Sequence, residues 1–292
     1  MLIITLEGRK HMSYFMSILL GFIQGVAEFL PISSSGHLSI LQNFAGLEYD
    51  ESGHMFFDVL LHLGTLVAVF IAYRQDIGAI IKDTLALFKK QKTLPGEAPQ
   101  PKKPSPKVRE LIFIAIGTLP LFVILPLFDV IEKLYYNTLV IGVALLLTGC
   151  MLYVSDRMPK GKKSEKTMTV LDVVLIGIGQ AIATVPGISR SGTTICVGLA
   201  RGFKREFAVR FAFLLSIPAV LGSNILSIIK AIKAGIDVSL LPIYLVGMIT
   251  AGVVGYFCIF MVKKIVNNSK FGKFSYYCWA AGLVTIVLSF VL

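Results

Sequence analysis

The sequence has few charged residues, and few of those are acidic. Only 15% of its 292 residues are charged, with 17 acidic against 28 basic side chains, and 55% are hydrophobic. A soluble globular chain carries about a quarter charged residues. Apolar runs near the length of a bilayer span occur instead, at 55–73, 111–128, 139–154, 211–229, 240–262 and 276–292. These runs predict an integral membrane protein and exclude a division by length into two soluble domains.

Several other features are missing, and each absence excludes a class. The chain has no CxxC pair, so its four cysteines are interpreted as small apolar residues without a disulfide framework or metal site: Cys150, Cys196, Cys258 and Cys278. Residues 1–11 lack the pattern of a signal peptide, and Met12 is a second candidate start. No G-x-S-x-G motif is present around the serine clusters discussed below, which argues against a classical serine-hydrolase elbow.

The net charge of +11 is concentrated in connectors between the apolar runs. This pattern follows the positive-inside rule and argues against a nucleic-acid partner. We therefore expect three basic connectors to be cytoplasmic, at 89–109, 157–166 and 263–273, with an interfacial helix at 76–90 before the first. The acidic or mixed segments 48–51 and 129–132 are expected at the outer face.

Two further apolar segments, 13–45 and 169–199, are each interrupted by a polar stretch containing proline and glycine. Basic residues flank the second segment on both sides, so both of its ends are expected to be cytoplasmic. The first segment ends beside the acidic stretch 48–51, so it is expected to enter from outside. Irregular backbone is tolerated inside a membrane only where protein or a water-filled cavity satisfies it. The two segments are therefore predicted to be re-entrant helical hairpins that build one site together.

The two broken segments are repeats of each other. Residues 21–37 align with residues 177–193 at a constant offset of 156, and both contain the core Ile-Ser-x-Ser-Gly. Three spans follow each segment, so the two halves, 1–155 and 156–292, are expected to have opposite orientations. The predicted fold is an all-α polytopic membrane protein, an inverted repeat with six spanning helices and two re-entrant helical hairpins. The repeat is broken at three chemically distinctive positions, where Glu28, Ser34 and His37 correspond to Thr184, Arg190 and Thr193.

The polar residues of the two motifs indicate anion chemistry. Gln24 and Glu28 are four residues apart and share a helix face, and a carboxylate inside a membrane usually faces a functional cavity. Ser33, Ser34 and Ser35 precede Gly36 and would offer hydroxyl and N–H groups to an anion.

Arg190 requires an anionic partner, either a phosphate or a carboxylate. The hydroxyls of Ser189, Ser191, Thr193 and Thr194 surround it in sequence. His37 is interpreted either as a hydrogen-bonded structural residue or as an acid/base group, while His62, four residues after Asp58, is interpreted as structural. A carboxylate, a histidine, serines and an arginine together suit phosphoryl transfer, and the carboxylate could also hold a divalent cation.

These motifs resemble the bacterial undecaprenyl-diphosphate phosphatase family of the bacitracin-resistance type. The resemblance rests on Gln24-x-x-x-Glu28 followed by Phe-Leu-Pro-Ile-Ser-Ser-Ser-Gly-His at 29–37, on Pro-Gly-Ile-Ser-Arg-Ser-Gly-Thr-Thr at 186–194, and on residues 211–218. It extends over nearly the whole chain from about Ser13. The resemblance implies an enzyme of the bacterial plasma membrane that removes the terminal phosphate of undecaprenyl diphosphate. The reaction recycles the lipid carrier for peptidoglycan synthesis, confers bacitracin resistance and is assisted by a divalent cation, Mg²⁺ or Ca²⁺.

The resemblance also implies roles for individual residues. Glu28 would be catalytic or would hold the metal, Ser34 would be the nucleophile or a phosphate ligand, His37 the acid/base, and Arg190 the diphosphate clamp. Substrate-binding roles are implied for Gln24, Ser33, Ser35, Ser189, Ser191, Gly192 and Thr194. Many family members have a second glutamate where this chain has Gln24, so a mechanism that needs two carboxylates is in doubt here.

Two alternative functions share parts of this sequence pattern. A polyprenyl-phosphate transporter or flippase would share the inverted repeat, but it would not need Glu28, Ser34 and His37 together. The lipid-phosphatase superfamily shares the Ser-Gly-His sequence at 35–37, but its second, histidine-containing motif is missing downstream of Arg190. The expected partners are the lipid diphosphate and the bilayer, with a homodimer possible, and the cavity is expected to open extracytoplasmically.

Overall fold

The computed structural model describes residues 12–44, 53–88, 104–234, 238–268 and 270–291, and these ranges contain helices but no β-strand. Three segments used for the topology lie wholly or mostly outside the described residues: the N-terminal stretch 1–11, the acidic stretch 48–51, and the basic connector up to residue 103. The helices are α1 Tyr14–Phe29, α2 Ser34–Phe44, α3 Gly53–Ala72, α4 Arg74–Phe88, α5 Pro106–Thr118, α6 Pro120–Ile124, α7 Phe128–Leu134, α8 Thr138–Ser155, α9 Val170–Ile182, α10 Arg190–Ala200, α11 Arg205–Ala234, α12 Leu241–Asn267 and α13 Phe274–Val291.

Five helical segments of the described chain are long and apolar enough to cross a membrane: Pro106–Leu134, Thr138–Ser155, Arg205–Lys233, Leu241–Asn267 and Phe271–Val291. A sixth is added if α3 and α4, which are bent by 74° at their junction, count as one span. The prediction of an all-α polytopic membrane protein is therefore confirmed. The first of these segments is divided into α5, α6, a 3₁₀ turn and α7 because Pro120 and Pro126 cannot donate to a helical ladder.

Two units have a short apolar helix, a polar break and a second short helix: α1 with α2, and α9 with α10. In both units the serine before the second helix caps it. The Ser33 hydroxyl accepts a hydrogen bond from the Gly36 N–H (3.2 Å), and the Ser189 hydroxyl accepts one from the Gly192 N–H (3.1 Å). The repeated Ile-Ser-x-Ser-Gly core is thus a helix start, and Ser34 and Arg190 are the first residues of α2 and α10.

The two breaks pack directly against each other. A Cβ atom on Gly36 would lie 3.0 Å from the Cα of Gly187, and one on Gly192 would lie 3.2 Å from the Cβ of Pro31. Gly187 also has a φ of +93°, which favours glycine. A larger side chain at Gly36 would therefore separate the two breaks, and with them the first residues of α2 and α10, whereas one at Gly187 would meet the carbonyl oxygen of Ile141 on α8 at 2.5 Å.

The two ends of the α9–α10 unit lie close together. The carboxylate of Asp172, at the start of α9, is 2.8 Å from the Nε of Arg201, which follows α10, and 2.8 Å from the Nζ of Lys163. The α9–α10 unit therefore returns to the end of the molecule at which it started, beside the basic connector 157–166.

The α1–α2 unit is held next to other helix ends. The hydroxyl of Ser17, in the first turn of α1, donates to the carbonyl of Ile243 at the start of α12 (2.6 Å). Near the end of α2, the side-chain amide of Asn43 donates to the carbonyl of Tyr135, just after α7 (3.1 Å). The charged end of α11 is also close to α7, since the Nζ of Lys230 is 3.0 Å from the carboxylate of Glu132.

The first helix of each broken unit packs closely on a helix from the other half of the chain, α1 on α12 and α9 on α5 and α6. Glycines at the same repeat position make this approach possible. A Cβ on Gly21 would lie 2.4 Å from the carbonyl oxygen of Gly247, and one on Gly177 would lie 2.5 Å from that of Gly117. These contacts hold both breaks in the interior of the helical bundle.

Candidate active site

A cavity of about 850 Å³ lies beside the two breaks. Residues from the breaks, α3, α7, α9, α10 and α11 line its polar part: Glu28, Ser33, Ser34, Ser35, Asp58, His62, Tyr135, Gln180, Ser189, Arg190, Ser191 and Asn224. Its apolar part is lined by side chains of α5–α7 and α11, including Leu121, Phe122, Leu125, Phe128, Ile225 and Leu226. Asp129, Glu132 and Lys230 also belong to the lining, and since Asp129 has a side chain that is 85% exposed, the cavity reaches the surface at α7.

Glu28 is the residue at which the two halves of the chain meet. One carboxylate oxygen, Oε1, forms an ion pair with the guanidinium of Arg190. The other, Oε2, accepts hydrogen bonds from the hydroxyl of Ser34 (2.6 Å) and from the side-chain amide of Gln24 (3.1 Å). The Glu28 side chain is only 9% exposed, so these bonds hold a desolvated carboxylate in a fixed position.

Local sequence explains this arrangement. Gln24 and Glu28 lie one helical turn apart on α1, so the amide reaches the carboxylate. Ser34 and Arg190 begin helices, where the macrodipole and the first-turn N–H groups favour a negative charge. The contact between the breaks then brings both helix starts to the last turn of α1. The site therefore combines a carboxylate from the last turn of α1 with a hydroxyl and a guanidinium at two helix N-termini.

The structure brings together most of the residues predicted for the site. Seven of them line the cavity, namely Glu28, Ser33, Ser34, Ser35, Ser189, Arg190 and Ser191. Gln24 is fully buried and reaches the site only through Glu28. Gly192 and Thr194 do not line the cavity: the Gly192 N–H is capped by Ser189, and the Thr194 hydroxyl donates to the Arg190 carbonyl (2.9 Å). The geometry places these two residues in support of α10.

His37 is not brought to the cavity. Its Nδ1 donates to the carbonyl of Ser33 (2.8 Å), its Nε2 is 2.7 Å from the hydroxyl of Tyr277 on α13, and the two rings stack. Both ring nitrogens are thus engaged on the side of α2 that faces α13. The acid/base role implied for His37 stays a prediction, and the geometry gives it no support.

His62, which the sequence interpretation treats as structural, lies at the site instead. Its Nε2 is 3.8 Å from Oε2 of Glu28, and its Nδ1 donates to the carbonyl of Asp58 (2.8 Å). The Asp58 carboxylate also lines the cavity and accepts from the amide of Gln42 (3.2 Å). Two ionisable residues on one apolar span are a signal of function that could have identified this pair.

The donor set does not fit a metal held by the protein alone. Across the described ranges, no group of three His, Cys, Asp or Glu side chains could hold a metal ion. Both oxygens of Glu28, the residue expected to bind one, are already bonded to Arg190, Ser34 and Gln24. The described residues therefore provide no set of ligands with which Glu28 could hold a metal ion.

These features define a class: a multipass helical membrane protein with a carboxylate–serine–arginine site where two broken helices meet. The chain belongs to the bacitracin resistance protein BacA family, whose model matches residues 17–284. The resemblance inferred from the two motifs is thus confirmed.

Proteins of similar sequence carry one shared name. A protein of Alkaliphilus metalliredigens named undecaprenyl-diphosphatase is 37% identical over 279 residues, which cover 95% of this chain and 99% of that protein. Proteins of the same name from Carboxydothermus hydrogenoformans and Methanosphaera stadtmanae are each 38% identical, covering 95% and 94% of this chain and 98% of each relative.

Proposed function

We propose that this chain is an integral membrane phosphatase that hydrolyses undecaprenyl diphosphate to undecaprenyl phosphate and inorganic phosphate. The product is the lipid carrier that peptidoglycan synthesis reuses, and its regeneration confers bacitracin resistance. The names of the similar proteins support this substrate. The observation that carries the proposal is the convergence of the Ser34 hydroxyl and the Arg190 guanidinium on the carboxylate of Glu28, beside a cavity.

The geometry supports a specific division of roles. Arg190 binds the terminal phosphate, because a guanidinium matches phosphate oxygens in charge and shape. The Ser34 oxygen attacks the terminal phosphorus while its proton passes to Glu28, and the bond from that phosphorus to the bridging oxygen breaks. Undecaprenyl phosphate leaves with the bridging oxygen and its electron pair. Water then hydrolyses the phosphoserine and releases inorganic phosphate.

His62 is assigned a supporting role in this reaction. Its Nε2 points to the same oxygen of Glu28 that accepts from Ser34. Because Nδ1 is fixed as a donor to the Asp58 carbonyl, Nε2 of the neutral ring is free to take a proton. His62 is therefore placed to accept the proton that Glu28 receives, a role for which His37 is turned away.

The apolar part of the cavity suits the first units of a polyprenyl chain. Leucine, isoleucine and phenylalanine side chains line it between the polar end and α7. A cavity of about 850 Å³ holds the diphosphate and a short apolar segment only, so the rest of the long tail lies in the bilayer. A divalent cation stays a prediction. Diphosphate oxygens are ligands that Mg²⁺ prefers, and no step above depends on the ion. The homodimer also stays a prediction.

The positions of the hairpin ends support the proposed orientation. The ends of α9–α10 lie with the basic connector 157–166, whereas the ends of α1–α2 lie with α7 and the start of α12. This supports two re-entrant hairpins entering from opposite faces of the plasma membrane, as an inverted repeat of halves 1–155 and 156–292 requires. The cavity reaches the surface at α7, which the charge pattern assigns to the extracytoplasmic face.

Labelling from either side of the membrane tests this orientation. A Ser34→Cys variant, made in a chain whose four native cysteines are replaced by alanine or serine, is expected to react with a membrane-impermeant maleimide added outside intact cells. The thiol would lie on the cavity wall, which is open at α7. The same chain without Ser34→Cys controls for background. Labelling only in inverted vesicles would overturn the assignment of the opening.

Phosphate release by the purified protein tests the function itself. The wild type in detergent is expected to release one phosphate per molecule of polyprenyl diphosphate, measured colorimetrically, and to leave the monophosphate intact. The alternative class is a polyprenyl-phosphate transporter. Movement of a labelled lipid across a vesicle bilayer, without any phosphate release, would overturn the phosphatase in favour of the transporter.

A further inference from the structure

Gln180 is a buried amide on the cavity wall with no partner in the protein. The residue lies on α9, is 1% exposed, and lines the same cavity as Glu28 and Arg190. Neither its Nε2 nor its Oε1 has a hydrogen-bond partner among the described residues. Buried polar groups are nearly always hydrogen-bonded, so an amide that is left open on both atoms requires an explanation.

The repeat shows why the amide is open. Gln180 occupies the position of Gln24 in the other half, and Gln24 donates to Glu28 one turn later on its helix (3.1 Å). One turn after Gln180 the chain has Thr184, whose hydroxyl donates to the carbonyl of Ala181 (2.7 Å). Gln180 therefore has no carboxylate to orient, and its amide N–H groups have no partner among the described residues.

The packing of α9 on α10 brings the backbone next to Gln180 against the first turn of α10. A Cβ on Gly179, its neighbour, would lie 3.2 Å from Cγ2 of Thr193, in the first turn of α10. Arg190 begins that turn. Asn224, on α11, adds another buried amide nitrogen to the cavity wall, also without a partner in the part of the chain that the structure describes.

We propose that Gln180 is a substrate-binding residue whose Nε2 donates a hydrogen bond to a phosphate oxygen of the lipid diphosphate. The inference rests on the proposed function. It adds a second contact to the phosphate from the second half of the repeat, beside the proposed contact of the phosphate with Arg190. The two equivalent glutamines then have different tasks: Gln24 orients the base, and Gln180 holds the substrate. Its Oε1 accepts from a water or from a protonated phosphate oxygen.

A Gln180→Met variant tests this contact, because methionine has a similar length and flexibility but lacks the amide. The KM for a polyprenyl diphosphate is expected to rise about tenfold, as for a lost bond to a charged group, while kcat changes by less than about twofold. The melting temperature without substrate is expected to stay equal or to rise, because the variant removes a buried amide that has no partner. Gln180→Glu, which places a carboxylate near the phosphate, is expected to raise KM further.

The control is Ser223→Ala, on the same cavity wall, whose hydroxyl already donates to the Val220 carbonyl; its KM is expected to be unchanged. A wild-type KM in both Gln180 variants would overturn the inference and would indicate that only water satisfies the amide. A lower melting temperature with an unchanged KM would indicate a structural role and would also overturn it. A wild type that releases no phosphate would instead refute the proposed function, so the two failures are distinguishable.

Discussion

A Glu28→Gln variant is expected to release phosphate about 1,000-fold more slowly than the wild type, because it removes the base that accepts the Ser34 proton. The amide keeps the shape of the side chain and can still bond to Ser34 and Arg190. The loss should therefore fall on kcat, with a smaller change in KM. Initial rates of phosphate release at saturating polyprenyl diphosphate measure this effect.

Glu132→Gln is the matched control for this variant. Glu132 is a carboxylate on the same cavity, at the end near the surface, where it pairs with Lys230. An ion pair of this exposure contributes about 1 kcal/mol or less to stability, so the variant should remain folded. Because Glu132 has no role in the proposed reaction, the rate of phosphate release should change by less than about twofold. If Glu28→Gln retained the wild-type rate while it remained folded, Glu28 would not be the base.

Arg190→Lys is expected to lower kcat/KM about 100-fold, and Arg190→Ala further still. Lysine keeps the positive charge but loses the planar fork that binds two phosphate oxygens at once. Because the role proposed for Arg190 is to bind substrate as well as to stabilise the developing charge, both KM and kcat should be affected. Steady-state kinetics over a range of substrate concentrations would separate the two contributions.

The alanine variant needs its own folding control, because it leaves the buried Glu28 carboxylate without its cation. A Glu28→Gln/Arg190→Met double variant removes both charges and is expected to melt at a higher temperature than Arg190→Ala. Arg201→Lys serves as the activity control, since Arg201 pairs with Asp172 outside the cavity. Wild-type kinetics in Arg190→Lys would contradict the assignment of Arg190 as the phosphate clamp.

The helical fold was largely predictable because the bilayer restricts what a spanning segment can be. Each apolar run named from the sequence lies within or largely overlaps a helix, including the run at 111–128, although Pro120 and Pro126 divide that helix. The bend between α3 and α4 falls at the change from apolar to alternating charged residues after 73. Contacts between helices were harder to predict from the sequence. The approach of Gly21 to Gly247, for example, depends on which helices become neighbours and not on the sequence around either glycine.

The site was predictable where the repeat pointed to it. Glu28, Ser34 and Arg190 stood out because the symmetry breaks at those positions, and the structure brings all three together. His62 was missed because it comes from α3, outside both motifs. The surroundings of His37 were less predictable, because sequence spacing sets the helix face but not the direction of the ring, which turns to Ser33 and Tyr277. Gln180 did not stand out, because the repeat has glutamine at both equivalent positions, 24 and 180.

The ion pair between Glu28 and Arg190 has a consequence for turnover. In the structure, the Glu28 carboxylate pairs with the guanidinium that is proposed to bind phosphate, so Glu28 takes the place of the phosphate anion. In the proposed mechanism, a diphosphate that competes for Arg190 releases Glu28 from its cation, and the freed carboxylate can accept the Ser34 proton at the moment when a target is present. The monophosphate product carries less negative charge than the diphosphate and competes less well for Arg190. Glu28 therefore pairs with Arg190 again, which favours release of the product. In the proposed mechanism, one ion pair thus couples binding, activation and product release.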